Sequence, residues 1–140
     1  MADPDPLVID GMNVIGAHPD GWWRDRDGAV RRLAHRLEAV AWDGPVTVVF
    51  DGRPVEGLPE GRHGAIDVLY ARRAGRDGAD DRIVEVVQTT APGAVVVTSD
   101  RQLRRRVSAA GAAAVRGPGW LQPRLVGRPD GPGGGERGVG

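Results

Sequence analysis

Cysteine and lysine are both absent from this chain of 140 residues. Without cysteine there is no disulfide, no thiolate metal site and no cysteine nucleophile. Without lysine there is no P-loop lysine to contact a nucleotide's phosphates and no side-chain amine to form a Schiff base. These two absences exclude thiol enzymes, P-loop NTPases and Schiff-base enzymes, and they leave arginine as the basic side chain throughout.

Long apolar stretches are also absent, and the first six residues hold two aspartates and two prolines where a secretory signal needs basic residues and an apolar run. We therefore expect a soluble, cytoplasmic protein that does not enter a membrane. Nineteen acidic residues balance nineteen basic ones, so the formal net charge is zero. Any contact with nucleic acid must then come from local basic patches.

Short apolar runs rich in β-branched residues predict five strands, at residues 7–9, 46–50, 66–70, 95–98 and 113–115. Residues 46–50 and 95–98 are almost continuously apolar, which is typical of strands buried on both faces of a parallel sheet. Residues 66–70 alternate in polarity, and we expect them at a more exposed edge.

Helical patterns separate these strands, at residues 30–41, 80–89 and 101–110. Strands that alternate with helices predict an α/β fold with right-handed crossovers. Residues 52–64, rich in proline, glycine and charge, are predicted to be a loop. We expect one domain over residues 1–126 and a disordered tail, rich in glycine and proline, over residues 127–140.

Aspartates follow three of the predicted strands: Asp10, Asp51 and Asp100. Asp80 and Asp81 open a predicted helix on the same side of the sheet. Because the carboxyl ends of parallel strands face one crevice, these carboxylates should converge, and a cation must then offset their repulsion. Oxygen ligands without histidine or cysteine favour Mg²⁺ or Mn²⁺. Such a site is suited to hydrolysis of phosphodiesters.

Aspartate is also a common turn residue and helix cap. Asp80 and Asp100 both stand where an N-cap is wanted, and Asp51 precedes a glycine in a turn-like pair. Asp10 is harder to explain in this way, because a carboxylate after an apolar strand is costly to bury without a partner. We therefore favour a functional role for Asp10, Asp80 and Asp100 together, and both interpretations of Asp51 stay open.

Four short motifs resemble the NYN domain of the PIN-like nucleases, and most closely its bacterial YacP-like branch. They are LVIDGMN at 7–13, VVFDG at 48–52, ADDRI at 79–83 and VTSD at 97–100. The resemblance covers residues 7–115. It implies a PIN-like three-layer sandwich, with a mainly parallel central sheet of about five strands between helices. It also implies an endoribonuclease activity that depends on Mg²⁺ or Mn²⁺.

By position, the resemblance assigns the family's acidic residues to Asp10, Asp80, Asp81 and Asp100, and its characteristic asparagine to Asn13. The Asn13 amide could orient a metal-bound water or the scissile phosphate, with Gly11 allowing a tight turn before it. Asn13 could instead cap a helix that starts at Val14. Arg104 stands where some NYN nucleases carry a further acid.

Predicted substrate contacts are Ser99, which adjoins Asp100, together with Arg76, Arg101 and Arg104, whose forked guanidinium groups match phosphate oxygens. A solvated helix face is the alternative for the arginines. Trp22 and Trp23 either stack on an unpaired base or pack against the sheet. The predicted partner is single-stranded RNA, free or presented by a ribosome or other ribonucleoprotein. The residues leave open whether the chain forms a homodimer.

Two other functions remain in view. The first is a catalytically idle PIN-like module that binds RNA or docks to a ribonucleoprotein through its arginines. The second is a nucleotide-binding or phosphatase-like domain. Against the second, no G-x-G-x-x-G loop follows a predicted strand and no Asp-x-Asp pair stands at a strand end.

Overall fold

The computed structural model describes residues 4–73, 75 and 77–126. Arg76, a predicted substrate contact, and the predicted tail at 127–140 lie outside the described residues. Within the described part, no helix is both long and apolar enough to cross a membrane.

The chain alternates strands and helices from its start. In order the elements are β1 (Leu7–Asp10), α1 (Gly11–Gly16), a single 3₁₀ turn (Trp22–Arg24), α2 (Arg26–Glu38), β2 (Val46–Phe50), β3 (Gly61–His63), β4 (Ile66–Tyr70), α3 (Gly78–Thr89), β5 (Val95–Val97), α4 (Arg101–Ala109), β6 (Ala114–Arg116) and α5 (Pro118–Val126).

One six-stranded sheet runs through the middle of the molecule in the order β3-β4-β2-β1-β5-β6. Only β3 is antiparallel to its neighbour, and the other pairs are parallel. Strand β1 is central, with Ile9 beside Val48 of β2 on one side and Val97 of β5 on the other. The predicted α/β architecture with a mainly parallel sheet between helices is confirmed.

Apolar side chains cover both faces of the sheet, as the uninterrupted apolar strands predict. On one face, Ile9 and Val48 pack with α1, α2 and α5. On the other face, Val8 and Val96 pack with α3 and α4. Successive side chains of a strand point to opposite faces, so Asp10 lies on the same face as Val8. The carboxylate of Asp10 is therefore on the side of the sheet that α3 and α4 cover.

The region predicted as a loop, residues 52–64, contains the short strand β3. This strand pairs with β4, so the prediction that residues 66–70 form an edge was wrong: β4 has β2 on one side and β3 on the other. Three residues without an apolar pattern cannot be recognised as a strand, because only pairing with β4 holds them extended. Helix α5 was not predicted either, since its sequence contains Pro123.

Helix boundaries differ from the predicted ones where side chains cap them. Helix α2 begins four residues before the predicted start at 30, because Asp25 accepts a hydrogen bond from the Gly28 N–H (3.0 Å). It ends at Glu38 rather than at 41, and the Trp42 indole N–H donates to the Leu37 carbonyl (2.7 Å) just beyond its last turn. Helix α3 begins at Gly78, which places Asp80 inside the first turn and not at the cap.

Candidate active site

The carboxyl ends of β1 and β5 form the most favourable place for a ligand on this sheet. From β1 the chain first continues to β2 and β4 on one side, and it later returns through α3 to β5 and β6 on the other. Neighbouring strands whose connections leave in opposite directions open a crevice at their carboxyl ends. Asp10 ends β1, and Thr98, Ser99 and Asp100 follow β5, so all four residues stand at this crevice.

Asp10 is buried, with 7% of its surface exposed. Its carboxylate accepts a hydrogen bond from the Thr98 hydroxyl (2.9 Å) and a longer one from the Asn13 backbone N–H (3.4 Å). The pKa of Asp10 is raised to about 6, chiefly by burial and to a smaller extent by the charges of Asp100 and Asp51. The two hydrogen bonds lower the pKa but do not offset these effects. The surroundings of Asp10 therefore do not offset the cost of burying its ionised carboxylate.

Asp80 projects from the first turn of α3 and is half-buried. Its pKa is raised to about 6, first by burial and then by the charges of Asp10 and Asp100, while Arg106 lowers it. Asp100 caps α4 by accepting a hydrogen bond from the Leu103 N–H (3.0 Å). Asp100 therefore caps α4 and also belongs to the acidic group formed by Asp10, Asp80 and Asp100. Asp10, Asp80 and Asp100 share one electrostatic environment although seventy residues separate the first two in sequence.

Thr98 is a positioning residue that the sequence interpretation missed. It is fully buried, its hydroxyl donates to Asp10, and the same oxygen accepts from the Asp100 N–H (3.1 Å). One hydroxyl thereby joins two of the three carboxylate residues. A threonine at the end of an apolar strand and two residues before an aspartate was the available signal, but β-branched residues are too common in strands for it to stand out.

Asn13 and Ser99 are held together across the crevice. Both the backbone N–H and the hydroxyl of Ser99 donate to the Asn13 side-chain oxygen, at 2.9 and 3.0 Å. Because its oxygen accepts both bonds, Asn13 has only its amide N–H donors left for a ligand. Ser99, predicted as a substrate contact, supports Asn13 directly.

Asp51 and Asp81 are engaged by arginines. The Arg26 guanidinium donates to both the carboxylate (2.5 Å) and the carbonyl (2.6 Å) of Asp51, which ties the start of α2 to the end of β2. Asp81 pairs with Arg73 and with Arg106 (2.9 Å), and hydrogen bonds from these two arginines lower its pKa. The charge of Asp51 still raises the pKa of Asp10. Asp81, in contrast, is paired with its two arginines.

The arginines of α4 differ in what they contact. Arg104 is partly buried and donates to the Thr98 carbonyl (3.1 Å), so its guanidinium lies against the end of β5. Arg101 is exposed beside Asp100. Arg106, which was not among the predicted substrate contacts, bonds to Asp81 and stands close enough to Asp80 to lower its pKa. Positive charge therefore borders the acidic group along α4.

Tryptophans 22 and 23 fall into different environments. Trp22 is partly buried and packs against the core, as expected for one of the pair, and 57% of Trp23 is exposed.

The donor chemistry of the crevice fits a hard divalent cation. Its candidate ligands are carboxylate oxygens, and the pKa values of Asp10 and Asp80 are raised first by burial and then by neighbouring carboxylates, among them Asp100 in both cases; a cation would offset both effects. In the part of the chain that the structure describes, no three acidic or histidine side chains lie close enough together to hold a metal ion as they stand. An ion at Asp10, Asp80 and Asp100 would accordingly keep several of its own waters, as Mg²⁺ commonly does.

A family model for the YacP-like NYN domain matches residues 7–118 of the chain. The chain belongs to the YacP-like NYN family. NYN domains are PIN-like nucleases, so membership supports a ribonuclease function in general, with RNA as the class of substrate. PIN-like nucleases generally use divalent metals.

Two solved structures resemble the NYN fold seen here. The crystal structure of Rae1 (YacP) from Bacillus subtilis is 25% identical, with a TM-score of 0.67, and the match covers 87% of this chain and 74% of that one. Its W164L mutant is 23% identical, with a TM-score of 0.66 over 87% of this chain and 75% of that one. A comparison with curated protein sequences found no match. The predicted YacP-like resemblance is confirmed.

Proposed function

We propose that this NYN domain is an endoribonuclease that requires Mg²⁺ or Mn²⁺ and hydrolyses single-stranded RNA at the crevice between β1 and β5. The observation that supports it is the electrostatic coupling of Asp10, Asp80 and Asp100, which come from three separate elements. Crowded carboxylates with raised pKa values are costly for a fold to keep, and a divalent ion removes that cost.

Asp10, Asp80 and Asp100 would hold the ion, with Asp51 at the margin. The bound ion would neutralise charge on the scissile phosphate and lower the pKa of a nearby water. Asp80 is more accessible than Asp10, so it is the better placed of the two to accept a proton from the attacking water. Attack breaks one phosphorus–oxygen bond, and the departing oxygen takes a proton from solvent.

Side chains around the acids orient the RNA. The Asn13 amide, with its oxygen held by Ser99, presents N–H donors to a non-bridging phosphate oxygen. Arg101 and Arg104 offer positive charge along the strand of RNA. Asp81 acts through Arg106, since its carboxylate holds that guanidinium beside Asp80. The RNA is bound either free or as part of a ribonucleoprotein such as the ribosome.

A circular single-stranded RNA tests this proposal, because only an endonuclease opens a circle. With Mn²⁺ the wild type should convert circles to linear RNA, and a chelator should stop the reaction. Asp10→Asn should lower the rate by about 100-fold or more, since loss of one metal-supporting group removes several kcal/mol of transition-state stabilisation. Asp67→Asn removes a charge that pairs with Arg62 on β3 and β4, and it serves as the matched control.

Two outcomes contradict the proposal. Cutting that persists unchanged in Asp10→Asn would come from a contaminating nuclease. RNA that is bound tightly and never cut, with Mn²⁺ present, would instead identify the domain as an idle RNA-binding module.

Thermal unfolding gives a second measurement that does not depend on activity. Mn²⁺ at about 100 times its dissociation constant should stabilise the wild type by roughly 3 kcal/mol, through binding to the folded state alone. The same concentration should leave the melting temperature of Asp10→Asn nearly unchanged. An equal shift in both proteins would remove Asp10 from the metal site.

A further inference from the structure

A second polar cavity lies away from the acidic crevice, between the connection that follows α1, helix α2 and helix α5. Its volume is about 50 Å³. Buried apolar residues of α1 and α2 form its floor, and its polar lining includes Arg32, Arg36 and Gln122. We call it the α2–α5 cavity.

Two arginines without acidic partners line this cavity. Arg32 and Arg36 are one helical turn apart on α2, so their guanidinium groups extend from the same face. Among the described residues, neither has a carboxylate within 4.0 Å, although Arg26 on the same helix pairs with Asp51. Arg36 donates to the Gln122 side-chain oxygen (3.3 Å). Guanidinium groups that make no direct ion pair keep N–H donors available for an anionic ligand.

Gln122 adds an unsatisfied donor to the same cavity. Its side-chain nitrogen is buried and has no hydrogen-bond partner among the described residues, while its oxygen is already bonded to Arg36. A buried polar group without a partner costs free energy, and a small ligand or water that accepts its hydrogen relieves that cost. The one carboxylate in the lining, that of Asp20, accepts a hydrogen bond from the Trp22 backbone N–H (3.1 Å).

The size of the cavity limits the ligand. A volume of about 50 Å³ holds a few waters or one compact anion such as a phosphate group, but not a nucleobase. A base belonging to that phosphate would have to lie outside, where Trp23 is exposed next to Trp22, their ring centres 6.1 Å apart. Arg24 stands 5.9 Å from the centre of the Trp23 ring. Trp22 of the cavity lining adjoins the exposed Trp23, so an indole is available to the base of an unpaired nucleotide whose phosphate enters the cavity.

Helix α1 connects this cavity to the acidic crevice. Asp10 immediately precedes α1, and Val14 and Ile15 of the same helix contribute to the cavity floor. The six residues of α1 span about 9 Å. Because the Asp10 carboxylate and the cavity lie on opposite faces of the sheet, a strand of RNA that occupies both sites must pass over the sheet edge at the start of α1.

We infer that the α2–α5 cavity binds a backbone phosphate of single-stranded RNA, through Arg32, Arg36 and Gln122, with the adjoining base stacked on Trp23. The inference rests on the proposed ribonuclease function and adds a substrate subsite remote from the acidic residues. Under this inference, these residues strengthen RNA binding and fix the position of the RNA relative to the acidic crevice. They take no part in the bond-breaking step.

The test measures binding of a fluorescent single-stranded oligoribonucleotide to Asp10→Asn protein, where cleavage cannot interfere. Adding Arg32→Gln and Arg36→Gln should weaken binding by about tenfold, the typical value of charge-assisted hydrogen bonds to one phosphate. The slope of log K against log salt should become shallower by about 0.7, as for one lost phosphate contact on a single strand. In proteins with Asp10 intact, the same pair of changes should raise KM and leave kcat unchanged.

Arg62→Gln is the control, because it removes one exposed positive charge on β3, at the edge of the sheet. Replacing both cavity arginines by lysine, which keeps the charge, should restore part of the affinity, and urea unfolding of the glutamine variant checks that it is folded. Equal RNA affinity in the glutamine and Arg62→Gln variants would overturn the inference. So would arginine-dependent binding of inorganic phosphate alone without any effect on RNA.

The two proposals fail in different ways. If the wild-type protein with Mn²⁺ neither binds nor cuts RNA, the ribonuclease function and the subsite are both wrong. If RNA is bound and cut while the Arg32 and Arg36 changes have no effect, only the subsite is wrong.

Discussion

Asp10 shows at the scale of one residue how a fold can keep a carboxylate that it does not stabilise. The Thr98 hydroxyl is its closest hydrogen-bond donor, at 2.9 Å, and the Asn13 N–H is more distant. No arginine pairs with it within the described residues. A buried charge normally has a partner, and the proposed divalent ion would supply one.

Replacing Thr98 by valine tests how far its hydroxyl supports Asp10. Valine keeps the volume and removes the donor, so we expect the pKa of Asp10 to rise above about 6 and the free energy of unfolding at neutral pH to fall by about 1–2 kcal/mol. Carboxyl-carbon NMR measures the pKa and urea titration measures the stability. Thr98→Ser keeps the hydroxyl and should leave the pKa of Asp10 near that of the wild type. A lower pKa in Thr98→Val would contradict the assignment.

At the scale of elements, α1 joins the acidic crevice to the proposed phosphate subsite, and Gly11 lets it pack closely. A Cβ atom at Gly11 would stand 2.5 Å from the Phe50 ring and 3.0 Å from the Val49 carbonyl. From the sequence, Gly11 is expected to allow a tight turn. Its backbone is helical, and the close approach of α1 to β2 is the actual reason for glycine there.

Gly11→Ala should therefore destabilise the protein by about 1–3 kcal/mol, because the Phe50 ring and the backbone of β2 leave no room for a methyl group. Gly16→Ala is the matched control at the other end of the same helix, where an added Cβ meets nothing within 4 Å. That change should be neutral or stabilising by up to about 1 kcal/mol. Urea unfolding compares the two variants, and equal stabilities would show that α1 does not press on β2.

At the scale of the whole molecule, charge is concentrated in local patches although the net charge is zero. The molecule has an acidic crevice bordered by arginines and, on α2, two arginines that make no direct ion pair among the described residues. Salt-dependent RNA binding should therefore depend on a few named residues and not on overall attraction. The stability of the metal-free protein should likewise depend on the few carboxylates whose pKa values are shifted.

The pH dependence of stability follows from the sign of the Asp10 shift. Its folded pKa of about 6 exceeds its ordinary value of 3.8, so between these pH values the folded state binds more protons than the unfolded state. The metal-free wild type should therefore lose stability as pH rises from about 4 to 6, by up to about 3 kcal/mol from this group. Asp10→Asn lacks the ionisation and should lose less. Urea unfolding across this range measures the difference, and parallel curves would contradict the raised pKa.

The strands and helices of this protein follow from local sequence because their signals are local. Continuous apolar runs gave β1, β2 and β5, and a three-to-four spacing gave most of α2. The position of aspartates after apolar strands then predicted one shared edge, since a parallel sheet places its carboxyl ends together. Strand β3 could not be predicted from local sequence, because it has no apolar periodicity and is held extended only by pairing with β4.

Sequence alone therefore determined the α/β architecture, the family and the acidic residues that approach one another, because hydrophobic patterning and strand-end position are properties of short segments. Tertiary structure alone decided which charges are compensated. It paired Asp81 with Arg73 and Arg106, brought the Thr98 hydroxyl to Asp10 and fixed the Asn13 amide with Ser99. Among the described residues, it left Arg32 and Arg36 without a direct ion pair. Such pairings join residues far apart in the chain, and their energies depend on distances and burial that exist only once the chain has folded.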